Sequence, residues 1–158
     1  MRSFLYTQYT TRKNVREGRR VIVGVGIDLV DQARLARLLE RRPRFIERVL
    51  TPAERAALPA EGRRRLEFIS GRFAAKEALA KAFGTGIGGR FSFQDISLLP
   101  GPGGRPAVRA EGDRLKAALG APGDVRIHVA ISHERSHTVA VAIVERWSSA
   151  PRLDIDMG

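Results

Sequence analysis

Val21-Ile22-Val23-Gly24-Val25-Gly26-Ile27-Asp28-Leu29-Val30 is the run on which the fold turns. It is rich in β-branched residues, free of proline and bounded by charge, which predicts a buried strand ending near Asp28. Gly24 and Gly26 lack the side chain that would keep a neighbour away, so a second backbone or a ligand can approach closely there. Asp28 is the anomaly, because a carboxylate buried without a partner at the end of an apolar strand costs several kcal/mol. It caps the following helix, pairs with an arginine, or helps to hold a cation. The run is also the longest strongly apolar segment, at ten residues including Asp28, far short of the roughly 18 needed to cross a membrane. Arg19-Arg20 in front of it imitates a signal peptide, but the carboxylate and the lack of a small-residue cleavage site argue against export. A cytoplasmic location is expected.

Downstream of the strand, Asp31–Arg42 places Leu35, Leu38 and Leu39 on one helical face. Arg34, Arg37 and Arg41 fall within an arc of about 60° on another, at roughly 100° per residue. Pro43 ends this helix, and Thr51-Pro52-Ala53-Glu54 is a capping box that opens a short helix to about Leu58. Arg63–Phe83 is the longest helical pattern, with Leu66, Ile69, Phe73, Leu79 and Phe83 as apolar positions and Gly84 as its stop. A strand over Phe93–Leu99, a Pro-Gly turn over Pro100–Pro106, a strand over Ala107–Ala110 and a helix over Asp113–Leu119 follow. Val125–Ser132 and Thr138–Glu145 alternate as an antiparallel hairpin should. No internal repeat is present. The pattern is α+β, an antiparallel sheet packed on a long central helix, with a folded domain over 21–146, a basic extension over 1–20 and a tail over 147–158.

Composition narrows the chemistry. The 158 residues make about one domain, 43% apolar and only 6% aromatic, and there is no cysteine. That excludes disulfides, thiolate metal sites and a cysteine nucleophile. The 28 basic residues exceed the 17 acidic ones by 11, and most of the excess lies within the folded part. An acidic partner is expected, whether a nucleic acid, an anionic lipid, a phosphate-rich small molecule or an acidic protein. Aromatic platforms and a helix-turn-helix pattern, which nucleic-acid binding would favour, are missing.

Few residues carry chemistry. Glu77 lies one turn after Phe73 on the long helix and Lys81 one turn further. This is either a surface Glu–Lys pair or, with Asp28, a pair of carboxylates for Mg²⁺, which takes one or two carboxylates with waters and substrate phosphates. Gly84-Thr85-Gly86-Ile87-Gly88-Gly89 follows a helix where the dinucleotide-binding loop follows a strand, and no Gly-Lys-Ser/Thr of a P-loop is present. It is a helix stop or a loop offering N–H groups to phosphate. His128, His133 and His137 show no metal spacing. The stretch Arg34–Arg48 holds six arginines and two acids, a solvated face or a docking surface for an acidic partner.

The order of these signals is more specific than any one of them. Gly24-Val25-Gly26-Ile27-Asp28-Leu29-Val30 with Arg34, then Gly71-Arg72-Phe73-Ala74-Ala75-Lys76-Glu77-Ala78 with Lys81, then Gly84-Thr85-Gly86-Ile87-Gly88, then Ile131-Ser132-His133 closely resemble the holo-[acyl-carrier-protein] synthase family of small bacterial 4′-phosphopantetheinyl transferases. Gly104-Arg105-Pro106 looks like the family's Gly-Lys-Pro turn with arginine for lysine. The resemblance runs from about Val21 to Val144.

It implies transfer of the phosphopantetheine arm of coenzyme A to a serine of apo-acyl carrier protein for fatty acid biosynthesis, with release of adenosine 3′,5′-bisphosphate. By the same resemblance Asp28 and Glu77 hold Mg²⁺, Lys81 adds a cation, and Glu77 takes the serine proton directly or through a metal-bound water. Arg72, Lys81, Gly84, Gly86 and His133 face the coenzyme, and Arg34, Arg41, Arg44 and Phe45 face the carrier. A homotrimer with sites between subunits is implied, with no nucleic-acid or membrane partner. Residues 1–20 and Trp147–Gly158 lie outside the family's compact domain, and Glu134 follows the histidine where the family varies. A basic nucleic-acid module is the competing reading and predicts salt-dependent binding that needs neither Asp28 nor Glu77. A carrier-binding protein without catalysis is disfavoured by the presence of both carboxylates and Lys81.

Overall fold

The computed structural model describes residues 19–88, 92–104, 106–111, 115, 119 and 124–148. Most of the expected extension, most of the helix expected over Asp113–Leu119, Arg105 of the Gly-Arg-Pro turn and the end of the tail lie outside the described residues. The elements in chain order are β1 (Arg19–Asp31), α1 (Gln32–Arg41), α2 (Phe45–Val49), α3 (Pro52–Ala56), α4 (Gly62–Ala82), β2 (Ile96–Pro100), β3 (Pro106–Ala110), β4 (Val125–His133) and β5 (His137–Ser148). β1, β5 and β4 form an antiparallel sheet with β5 in the middle, and β2 and β3 form a separate two-stranded ribbon. The α+β reading holds, as does the β4–β5 hairpin.

The hydrophobic centre lies between the three-stranded sheet and α4. Every second residue of β5, from Thr138 through Ala140 and Ala142 to Val144, is buried, as the two-residue period of a strand requires. On α4 the side that meets the sheet carries small residues, with Gly71, Ala74, Ala78 and Ala82 recurring every three or four positions and Ala78 and Ala82 against Gly26 and Gly24. A flat alanine face lets the sheet approach the helix axis closely. Phe45, Phe73 and Phe93 stack in sequence at the far side of the helix, with ring centroids 5.7 and 5.6 Å apart.

Three expectations are corrected. β1 is not buried on both faces: Val25, Ile27 and Leu29 are 61%, 60% and 64% exposed, while Gly26 and Val30 on the alternate face are buried. An unbroken apolar run does not distinguish strands covered on one face from strands covered on both, and here, among the described residues, α4 packs on one face of β1 and the other stays open. The strand also continues past Asp28 to Asp31, because β5 pairs with it as far as His137. At the other end Arg19 pairs with Ser148 and Arg20 with Trp147, two residues outside the expected domain at each terminus. The strand expected from Phe93 begins only at Ile96. Phe93–Asp95 is a 3-10 turn in which the Ser92 N–H donates to the Asp95 carboxylate and the Ser92 hydroxyl accepts from Gln94 N–H. That Ser-x-x-Asp capping signal outweighs the apolar alternation.

Candidate active site

The two glycines of β1 set the geometry. A Cβ on Gly24 would lie 1.9 Å from the carbonyl oxygen of Ala82, and one on Gly26 would lie 1.9 Å from that of Ala78. Strand and helix backbones are therefore in direct contact, and the partner anticipated for the glycines is a backbone. Two residues beyond Gly26, on the same face of the strand, Asp28 is delivered to the exposed side of α4. Lys81 reaches across: its Nζ donates to Asp28 Oδ1 at 2.8 Å and to the Ile27 carbonyl at 2.9 Å. Asp28 thus pairs with a lysine, not an arginine. The capping role falls to Asp31, whose Oδ1 accepts from Arg34 N–H at 2.9 Å.

Glu77 sits one turn before Lys81 on the same helix. Partial burial pushes its carboxyl up from the ordinary glutamate range, the neighbouring Asp28 carboxylate pushes it the same way, and Lys81 opposes both. A second carboxylate that disfavours ionisation of Glu77 marks a place that a cation stabilises. The donor set fits Mg²⁺, with Asp28 and Glu77 as the protein oxygens and the remaining positions left for water and phosphate. Among the described residues no group of three or more His, Asp and Glu side chains is placed to enclose a metal. A fully enclosed, all-protein cage is not what these residues build.

Arg72 and His133 form a second group. Residues 72 and 77 are about 140° apart around the helix at roughly 100° per residue, so this group occupies another side of α4. The Arg72 guanidinium lies 3.6 Å from the centroid of the Phe68 ring, and its Nε donates to the Leu98 carbonyl at 3.3 Å. Burial lowers it to about 10, with Glu54 opposing. His133 Nδ1 is 2.9 Å from Thr138 Oγ1. Burial also holds this imidazole below the usual histidine value; Glu67 opposes that shift, and Arg72 and Arg63 add to it.

The glycine loop closes α4. Gly84 N–H donates to the Lys81 carbonyl at 3.0 Å and Thr85 N–H to that of Ala80 at 3.2 Å, so the N–H of Gly84 is committed to ending the helix. Gly84 and Gly86 have φ of 67° and 63°, the left-handed region that side chains disfavour. Arg34 and Arg41 are exposed on α1, and Arg44 is exposed just before α2. Phe45 is half-buried, its ring edge-on to Phe73. Arg42, Pro43, Arg44, Phe45 and Arg48 line a depression of about 400 Å³.

One charged pair escaped the sequence. Lys76 and Glu54 are both fully buried and 2.6 Å apart. Lys76 Nζ also donates to the carbonyls of Val49 at 2.7 Å and Phe93 at 2.8 Å. Glu54 accepts from the N–H groups of Leu98 and Thr51, each at 2.8 Å. The pair ties α3 and β2 to the helix that carries Glu77. Burial pulls Lys76 below its ordinary range against the pull of Glu54. The signal was available, since Lys76 is seven residues from Ile69 and three from Phe73, on the apolar side of the helical wheel.

Comparison with known proteins gives the family. Residues 24–143 match the sequence model of the 4′-phosphopantetheinyl transferase superfamily. A holo-[acyl-carrier-protein] synthase of Anoxybacillus flavithermus is 45% identical over 130 residues, which cover 82% of this chain and 100% of that protein. Among solved structures, the holo-[acyl-carrier-protein] synthase of Neisseria meningitidis superposes with a TM-score of 0.72 at 35% identity, covering 80% of this chain and 100% of the other. That of Bacillus anthracis, in complex with CoA (3′,5′-ADP), gives 0.67 at 37%, covering 79% and 97%. With the fold, the motif order and the overall likeness in agreement, the chain belongs to the 4′-phosphopantetheinyl transferase superfamily, among relatives named holo-[acyl-carrier-protein] synthases.

Proposed function

We propose that the protein is a Mg²⁺-dependent holo-[acyl-carrier-protein] synthase that moves 4′-phosphopantetheine from coenzyme A to a serine of apo-acyl carrier protein, serving fatty acid biosynthesis in the cytoplasm. The observation that carries this reading is the convergence of Asp28, Glu77 and Lys81 where β1 crosses α4. In the reaction the serine oxygen forms a bond to the β-phosphorus of coenzyme A, the bond from that phosphorus to the bridging oxygen breaks, and adenosine 3′,5′-bisphosphate leaves with the electron pair. Asp28 and Glu77 would hold Mg²⁺, which would supply charge neutralisation for the diphosphate. Lys81 orients Asp28 and adds positive charge where the leaving group becomes more anionic. Glu77, beside the reacting phosphate, is the group to take the serine proton. Arg72 and His133 face the anionic end of the coenzyme, with the glycine loop after Lys81 at the other side.

The carrier docks on Arg34, Arg41 and Arg44 with Phe45 as apolar anchor, because an acidic helical protein complements an arginine stripe. Assembly into a homotrimer is supported by the exposed apolar face of β1, too large a run to leave in water on a monomer. It is supported also by the placement of Arg72 and His133 on a different side of α4 from Glu77, so that one chain's group can complete the site of the next.

The test is intact-mass spectrometry of a bacterial apo-acyl carrier protein incubated with this protein, coenzyme A and Mg²⁺. A gain of about 340 Da that is lost with EDTA, and lost in Asp28→Ala and Glu77→Ala proteins that still fold, is expected for metal-dependent transfer. No gain with several carriers, or full activity in both variants, overturns the assignment.

A further inference from the structure

Gln32 at the start of α1, Ser70 on α4 and Thr138 in β5 take no part in the chemistry above, yet all three are polar and buried, at 4%, 0% and 0% exposure. Buried polar groups require partners, and these find one another. Gln32 Nε2 donates to Thr138 Oγ1 at 3.0 Å, and lies 3.3 and 3.5 Å from the carbonyls of Glu134 and His137. Thr138 Oγ1 is 2.8 Å from Ser70 Oγ and 2.9 Å from His133 Nδ1. Ser70 Oγ donates to the Glu67 carbonyl at 3.1 Å.

The direction of each bond follows from counting protons. A hydroxyl has one proton and two lone pairs. The Ser70 proton goes to the Glu67 carbonyl, so the bond between Ser70 and Thr138 is donated by Thr138. The two lone pairs of Thr138 then accept from Gln32 and from an N–H on His133 Nδ1. Reversing the histidine bond would make Ser70 donate to Thr138 and leave the Glu67 carbonyl without that partner. Only one assignment makes all four bonds.

The ring is also held in place sterically. A Cβ on Gly71 would lie 3.1 Å from His133 Cε1 and 3.4 Å from Nε2. A glycine inside a helix is unfavourable, and here its missing side chain is the space the imidazole fills. His133 Nε2 has no hydrogen-bond partner among the described residues.

We propose that Thr138, braced by Gln32 and Ser70, is a positioning residue that fixes the His133 proton on Nδ1 and leaves Nε2 as the one open nitrogen, so that a coenzyme phosphate is met there by uptake of a proton. This rests on the reading that His133 faces the coenzyme. The charged groups around the ring are consistent with it. From α4, Arg72 and Arg63 disfavour the charged imidazole and Glu67 favours it, with Glu67 itself paired to Arg63 at 2.6 Å. On the turn, the Glu134 carboxylate and the His137 Nδ1 are both bonded to Ser136, and Gln32 is uncharged. These surroundings, with burial, favour the neutral ring before ligand arrives. A phosphate adds negative charge beside Nε2 and favours the imidazolium, which donates to Thr138 and to the phosphate at once. Between the free and bound pKa values, affinity falls by about tenfold per pH unit as pH rises.

Two measurements on the full chain test this. Ring ¹⁵N correlation spectra of the unliganded protein at alkaline pH should show His133 as the Nδ1–H tautomer; an Nε2–H tautomer overturns the proposal without any mutation. Titration calorimetry with coenzyme A, at one pH in buffers of different ionisation enthalpy, should show uptake approaching one proton. Thr138→Ser should retain both signatures. Thr138→Val should release the tautomer and diminish the uptake, because an Nε2–H donor then becomes available without protonation. Coenzyme A binding with no proton uptake overturns this inference alone, whereas failure of coenzyme A to bind at all overturns the reading of His133 and this inference with it.

Discussion

Replacing Gly26 by alanine should disable the protein from outside its catalytic residues. The new methyl would start 1.9 Å from the Ala78 carbonyl oxygen, about 1.5 Å short of the 3.4 Å at which ordinary contact begins. The obstacle is helix backbone, which cannot rotate away, so β1 must lift from α4 by most of that distance. Overpacking of this kind costs about 3 kcal/mol or more, equivalent to a fall of roughly 10 °C in melting temperature for a domain of this size. Asp28 is two residues along the same face and moves with the strand, away from Glu77 and Lys81. A displacement near 1 Å at a reacting site lowers rates by about 10²-fold, so carrier modification should fall by at least that factor at temperatures where the variant remains folded. Thermal denaturation and the intact-mass assay read the two effects separately. A Gly26→Ala protein with unchanged melting temperature and unchanged turnover would refute the claim that backbone contact between β1 and α4 sets the site.

Further outcomes follow from the charged groups and the open sheet face. The Glu77 carboxyl holds its proton more tightly in the folded protein than in the unfolded chain. Stability therefore falls as pH rises from the ordinary glutamate value through the raised one, and the cost is fully present above it. Glu77→Gln should flatten this part of a pH-dependent urea unfolding series of the metal-free protein. Lys76→Met leaves the buried Glu54 carboxylate without its cation and should cost about 3–5 kcal/mol in urea unfolding. The double change Lys76→Met with Glu54→Leu should recover part of that loss. Ile27→Asp, on the exposed face of β1, should shift sedimentation toward the monomer and reduce transfer while leaving the monomer's circular dichroism intact.

What was legible in the sequence was whatever had a local cause. Thr51 and Glu54 announce a capping box within four residues, and the structure contains it. The alternation in Val125–Ser132 and Thr138–Glu145 is a two-residue period that only a strand satisfies, and both strands form. Asp28 was conspicuous because its neighbours are apolar, but its partner Lys81 lies 53 residues away, and nothing local selects a lysine over an arginine. The inward carboxylate of Glu54 was hidden for the same reason. Its capping role is local, while its bonds to Lys76 and to Leu98 depend on how α3, α4 and β2 meet. α2, five residues long with no side-chain cap on Arg44, is too short to leave a periodic trace. Of the candidate site residues, Asp28, Glu77 and Lys81 converge, whereas Arg72 and His133 stand together elsewhere on α4.

The pairing of Arg19 with Ser148 has a practical meaning for anyone attaching something to this protein. The first and last described residues are cross-strand neighbours, about 5 Å apart, and both leave the sheet at one pole. Asp28 is nine residues up the strand, roughly 30 Å away at about 3.3 Å per residue. A tag or domain joined directly to Arg19 or to Ser148 therefore starts from the same corner, remote from Asp28. In a chain trimmed to residues 19–148, a short linker joining Arg19 to Ser148 would let the chain be reopened at a surface loop as a circular permutant with the sheet order unchanged.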